Sequence, residues 1–161
     1  MDLKNGSLKR RYRKYNMKFI FFTSDKDKFW IELDNDNYAT RQIVLSDNEY
    51  HFSCIEDCLA EGKINDEDLS DDIIEISSFE FEDVWNIVLK KYNAEWNAAK
   101  AKYRINDFVI GNLKYYYPQG AIFKCDDAVI NYVGKESVKL FSNLEMKIIG
   151  YDEINMWIVT V

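Results

Sequence analysis

DFVIGNLKYYY (107–117), PQG (118–120), AIFKC (121–125), DD (126–127) and AVINYV (128–133), then LEMKIIGY (144–151), DE (152–153) and NMWIVTV (155–161), decide the fold of this 161-residue chain. Each apolar run is short, rich in β-branched and aromatic residues, and bounded by Pro, Gly or Asp, so the segment reads as five strands joined by tight turns. Leu144, Met146 and Ile148 alternate with Glu145 and Lys147, and Trp157, Val159 and Val161 alternate with Met156, Ile158 and Thr160. Such alternation marks strands with one buried face. Fifty-five residues bury too little surface for an independent core, so this unit is expected to lean on what precedes it.

Immediately upstream, Ser77-x-x-Glu80 has the pattern of a helix capping box. Trp85, Val88, Leu89, Tyr92, Trp96, Ala99 and Tyr103 then recur at three- and four-residue spacing, with Glu82, Asn86, Lys90, Asn93 and Lys100 between them. That stripe predicts a helix of about six turns, reaching roughly Lys102, whose apolar face serves a core and not a cofactor. Further upstream, strand patterns occur at 18–22, 29–33, 38–45 and 50–52, with Asp34-Asn35-Asp36-Asn37 as a hairpin loop. Ser53-x-x-Glu56 predicts a second, short helix over 54–61 that stops at Gly62, and 73–76 reads as a strand. Residues 1–16 are polar and aperiodic and read as a tail, with Lys9, Arg10, Arg11, Arg13 and Lys14 as a basic arm or an upstream extension.

The run DFVIGNLKYYYPQGAIFK followed by MKIIGYDEINMWIVTV resembles the S1 class of OB-fold, in which an opening glycine, a Gly-x-hydrophobic second strand and a closing hairpin recur. The expected fold class is therefore α+β: a small antiparallel sheet with two helices over 17–103, then a five-stranded S1-like OB-type β-barrel over 104–161 packed on the long helix. The resemblance implies a single-stranded RNA surface built from stacking aromatics, here Tyr115, Tyr117, Phe123 and Tyr132, with Lys114 and Lys124 for phosphate. Where it calls for aromatics around the second-strand glycine, this chain has Gln119 and Ile122. The stretch WIELDNDNYATRQIVL with the later EFEDVW is similar to small bacterial proteins found beside toxin genes, which implies an immunity or antitoxin role.

Charge is unevenly spread: residues 1–18 carry seven Lys/Arg against one Asp, 19–102 carry eight against twenty acids, and 103–161 carry six against seven. Nonspecific nucleic-acid affinity rests on neutralising phosphates, so the acidic middle suits a basic partner better. Cys54, Cys58 and Cys125 are too few for a disulfide framework, which points to a reducing, cytoplasmic setting. No apolar run approaches the length of a membrane span.

The common catalytic signatures are absent from the sequence, and no enzyme activity or cofactor is expected. His51, Cys54 and Cys58 supply three zinc-type ligands without a fourth, so no metal site is expected. Asp66, Asp68, Ser70 and Asp72 alternate like the start of a calcium loop, but Asp71 and Ser77 stand where such a loop needs Gly and Glu. That segment reads as a solvated acidic loop. Trp30, Glu32 and Arg41 fall on one face of the first hairpin if its loop closes symmetrically, with residues 30 and 41 opposite each other. The expected function is an immunity- or antitoxin-like protein that holds a basic, toxin-like partner through Trp30, Glu32, Arg41, Asp66, Asp68 and Asp72. Single-stranded RNA binding through the barrel is the alternative.

Overall fold

Upstream of the barrel, β1 (Lys18–Ser24), β2 (Asp27–Leu33), β3 (Ala39–Ser46) and β4 (Glu49–Phe52) form an antiparallel meander in the computed structural model, which describes residues 16–68 and 72–161. The tail expected at 1–16 lies outside the described residues but for Asn16. A fifth strand, β5 (Ile74–Ile76), returns antiparallel to β1 and gives the sheet order β4-β3-β2-β1-β5. Asp47 and Asn48 both take positive φ in the β3–β4 turn, the backbone a tight hairpin needs to match strand twist.

Both faces of the sheet are used. Phe19, Arg41, Ile43 and Phe52 lie toward α1, the helix over 78–102, while Ile20, Ile31 and Leu33 are buried on the opposite side. The capping box forms as its spacing predicts: Ser77 Oγ accepts from Glu80 N at 3.2 Å and Glu80 Oε2 accepts from Ser77 N at 2.8 Å. The helix consists of α-helical turns at Ser78–Leu89 and Asn93–Lys102 joined through a 3-10 turn at Lys90–Tyr92. Its first half buries Phe81, Trp85 and Val88 against the sheet, and its second half buries Trp96 and Ala99 against the barrel.

The expectation of two helices is corrected: among the described residues this is the one α-helix, and the segment expected to be helical at 54–61 forms a turn and a bend through 57 and irregular backbone beyond. The sequence signal was real, yet tertiary contacts consume the groups a helix would need. Ser53 Oγ accepts from Gln42 N at 3.0 Å across the sheet and so caps nothing. The carbonyls of Cys54, Ile55 and Glu56 accept instead from barrel side chains: Trp157 Nε1 at 2.7 Å, Lys124 Nζ at 2.9 Å and Tyr117 Oη at 3.1 Å. The segment is thus a strap laid between sheet and barrel. Gly62 does take the left-handed backbone, with φ of 76°.

Strands β6 (Phe108–Tyr117), β7 (Gly120–Cys125), β8 (Ala128–Tyr132), β9 (Asn143–Asp152) and β10 (Trp157–Thr160) close into a barrel in the order β10-β8-β7-β6-β9. Every pairing is antiparallel except β8 with β10, an arrangement compatible with an OB-like fold. Leu113, Phe123, Ile130, Met146, Ile148 and Ile158 fill the lumen. Gly120 opens β7 with φ of 151°, and a Cβ there would meet Asn131 Oδ1 at 2.2 Å and Tyr132 O at 2.7 Å. Only glycine lets the β6–β7 turn close on β8.

A bulge between Leu113 and Tyr115 sets what the barrel shows to the sheet. Without it, Tyr115 and Tyr117 would follow Leu113 into the lumen, because strand side chains alternate with a period of two. With it, Tyr115 pairs with Ile122, and Tyr117, Ile122 and Trp157 join the core that contains Ile31, Leu33, Phe52 and Trp85. One apolar core therefore spans sheet, helix and barrel wall. No described helix is long and apolar enough to cross a membrane.

Candidate functional site: an acid-lined pocket between sheet and barrel

The strongest polar constellation of the sheet forms at Glu32 and Arg41. They are direct cross-strand partners, and a bulge that leaves Thr40 unpaired opposite the Glu32–Leu33 step sets this register. The symmetric register, with Trp30 opposite Arg41, is corrected accordingly: Trp30 pairs with Ile43 and packs near Phe21 and Tyr50. The aromatic partners of Arg41 come from the helix instead. Its guanidinium carbon sits 4.8 Å from the Phe81 ring and 5.0 Å from the Trp85 ring.

Arg41 is 5 % exposed and Glu32 7 %. The guanidinium binds Glu32 through Nε (3.0 Å) and Nη2 (2.5 Å), and Glu82 through Nη1 (3.2 Å) and Nη2 (2.5 Å). Burial alone would pull the Arg41 pKa down, and the two carboxylates more than reverse that, so the cation is firmly held. Thr40 Oγ1 donates to Glu32 Oε1 at 2.7 Å and completes the network.

This cluster forms the floor of a pocket of about 400 Å³ at the junction of the β2–β3 loop, the β6–β7 turn and the β9–β10 turn. Asp34 and Asp36 stand on one side, Gln119 on another, and Asp152 and Asn155 on a third. Asp34 Oδ1 accepts from Asp36 N and Tyr38 N, both at 2.9 Å, which fixes the loop. Asp152 Oδ1 accepts from Ile154 N and Asn155 N, and its Oδ2 accepts from Asn155 Nδ2 at 2.9 Å. Glu82, Gln119, Asp152 and Asn155 lie within stretches quoted from the sequence but are not among the expected site residues. Their only sequence signal is that each of the last three lies in a turn flanking a strand.

The remaining expected anchors are elsewhere. Asp68 accepts from Asn65 N at 3.0 Å within the turn Asp66–Asp68, and Asp72 is exposed before β5; the Asp66 side chain and residues 69–71 lie outside what is described. His51 Nδ1 engages Glu56 Oε2 at 2.8 Å, and no group of three or more metal-ligating side chains gathers among the described residues. Burial pushes the Cys54 thiol far up, and burial with the charges of Glu56 and Asp57 pushes Cys58 up to about 12. Neither offers a thiolate near neutral pH.

On the barrel, the six residues of the RNA alternative do not share one open surface. Phe123 and Tyr132 pack edge to face in the lumen. Tyr117 is 9 % exposed beneath the strap, and Lys124 is spent on Ile55 O. Tyr115 is half-buried beside Tyr117, its phenol pushed up to about 12 by burial and the Asp57 charge, and Lys114 alone is exposed. OB-folds bind oligonucleotides on the outer face of their second and third strands. Here the strap and helix cover that face of β7 and β8 at Ile122, Lys124 and Val129.

The helix also grips the β9–β10 turn. Glu153 accepts from Trp96 Nε1 at 2.7 Å and Lys100 Nζ at 2.9 Å, and Trp85 Nε1 donates to Ile154 O at 2.8 Å. Burial would raise the Glu153 pKa, but these donors hold it below the ordinary value of 4.5. A carboxylate whose folded pKa is depressed adds stability above its unfolded pKa and loses it as pH falls through the folded value. Glu153→Gln should therefore be less stable than the native chain at pH 7, with the gap closing below about pH 4.5; urea unfolding across pH 3–7 measures it.

No family model, curated protein or solved structure matches the chain.

Proposed function

We propose that this chain is a non-enzymatic binding protein of the immunity or antitoxin kind, which captures a basic partner protein through acidic surface around the sheet–barrel junction. The S1-like barrel serves in it as a scaffold. The observation that carries the reading is the pocket floored by Glu32 and Arg41: its rim is built from Asp34, Asp36 and Asp152, and the one cation among its described lining residues is already neutralised by two carboxylates. A cationic side chain is attracted to such a site and an anionic one is repelled. The acidic balance of 19–102 extends that preference over long range and steers encounter. Cover over β7 and β8 weighs against RNA, since the strap occupies Tyr117 and Lys124 and the barrel core holds Phe123 and Tyr132.

The test is a direct comparison by calorimetry of an arginine- and lysine-rich peptide with a single-stranded RNA oligonucleotide, each titrated into the full chain at low and near-physiological salt. The peptide is expected to bind with affinity that falls as salt rises, and the RNA to leave no saturable signal. Tight RNA binding near 0.15 M salt, weakened by about 1–3 kcal/mol in Tyr115→Ala, would reverse the assignment.

A further inference from the structure

We propose that the outer face of β6 and β9 is a self-complementary surface on which a second copy of this chain docks about a two-fold axis. The proposal does not rest on the basic-partner reading, and none of the residues lining the junction pocket lies on this face. Val109, Leu113 and Met146 point into the barrel core, so strand alternation turns Phe108, Ile110, Glu145 and Lys147 outward. Direct cross-strand partners share a face. Phe108 pairs with Lys147, Ile110 with Glu145 and Asn112 with Asn143, which arranges the face in three rows.

Phe108 is 64 % exposed and Ile110 60 %, so two large apolar side chains stand in water on adjacent rows. The outer face of β7 and β8, by contrast, is covered by strap and helix. Beside the asparagine row stands Phe141, which is 71 % exposed. Its φ of 64° is one that a bulky side chain rarely adopts. Hydrogen bonds hold it there: Phe141 N donates to Leu113 O at 2.8 Å, and Asn112 Nδ2 donates to Phe141 O at 2.6 Å. A third large apolar group is thus kept in solvent at the end of the same face.

The charges on the face decide what covers it. Glu145 and Lys147 are exposed, and neither joins an ion pair among the described residues. One acid and one base on adjacent rows suit neither a strongly basic nor a strongly acidic partner, but they fit their own image. A two-fold axis lying across the strands between these rows sets Lys147 of each copy over Glu145 of the other, and Phe108 over Ile110. In such an isologous contact each pairing occurs twice. The barrel is closed and offers no strand edge for a second copy to extend, so the copies meet by stacking faces. Burial of the apolar groups supplies the affinity, and the two ion pairs fix the register.

Sedimentation equilibrium of the full chain, from micromolar to near-millimolar concentration, tests this. The mass is expected to rise from 19.1 kDa toward twice that value. Glu145→Lys sets lysine against lysine across the axis and Lys147→Glu sets glutamate against glutamate, so each variant alone should dimerise about tenfold or more weakly. Mixed in equal amounts, the two should associate as a heterodimer at least as tightly as the native chain pairs with itself, because both contacts are then attractive. All the altered positions are exposed, and an unchanged thermal melt checks that each variant folds. Phe108→Ser with Ile110→Ser should abolish the dimer with its charges intact. A mass fixed at 19.1 kDa throughout the range would overturn the proposal. So would a dimer indifferent to both charge reversals, or variants that stay monomeric when mixed.

Discussion

Arg41→Ala is expected to lower the unfolding free energy by about 3–5 kcal/mol, the loss typical of breaking a buried ion pair from one side. The cost arises mainly in what remains. Glu32 stays in the interior with its charge reduced to the Thr40 hydroxyl for company, and the Phe81 and Trp85 rings lose the cation lying over them. Arg41→Lys should recover little, because an ammonium cannot make the forked contacts to Glu32 and Glu82 together. The double variant Glu32→Leu with Arg41→Met should recover most of the loss, since well-packed apolar replacements of buried ion pairs are often neutral or stabilising. Glu82 is far more open to water, so Glu82→Gln should cost less than about 1 kcal/mol. Urea unfolding with an unchanged slope measures all four. An Arg41→Ala loss below 1 kcal/mol would mean the cluster does not anchor α1 to the sheet.

Trp157→Ala should be of similar size, about 3–5 kcal/mol for removing a large aromatic from a fully packed site. Trp157 is 0 % exposed, lies 6.2 Å from the Tyr117 ring between centroids, and joins the shared core with Tyr117 and Ile122. Trp157→Phe separates packing from hydrogen bonding. It keeps most of the volume but strands the Cys54 carbonyl, for which about 1–3 kcal/mol is expected. Amide hydrogen exchange supplies the second reading: in Trp157→Ala, protection should fall in β1–β3 as well as in the barrel. Loss confined to the barrel would divide the chain into two independently stable parts.

Much of this architecture was legible because it depends on local patterning. Apolar alternation placed the barrel strands, the Ser77 and Glu80 pair placed the helix start, and the 85–99 stripe gave the helix face. What escaped was set by distant partners. Ser53-x-x-Glu56 has every local mark of a helix start, and it failed because Gln42, Trp157, Lys124 and Tyr117 compete for the same backbone and hydroxyl groups. The Glu32–Arg41 pair was visible as a cross-strand possibility, yet the Thr40 bulge moved Trp30 out of it. Glu82 is forty-one residues from Arg41, and Gln119 is seventy-nine from Thr40. Neither separation leaves a trace in spacing, and the pocket that Thr40, Arg41 and Gln119 help to line exists only once the barrel is seated on the sheet.

The strap has a consequence for how this chain can vary. Its grip on the barrel is made by the carbonyls of Cys54, Ile55 and Glu56, groups every amino acid possesses, while the barrel answers with three particular side chains. Recognition across the junction is therefore specified on one side only. Substitutions at 55 and 56 can accumulate without touching those bonds, whereas changes at Tyr117, Lys124 or Trp157 are felt at once. Descendants of this chain would keep the joint while its strap drifted, so half of the interface would become invisible to any comparison of letters.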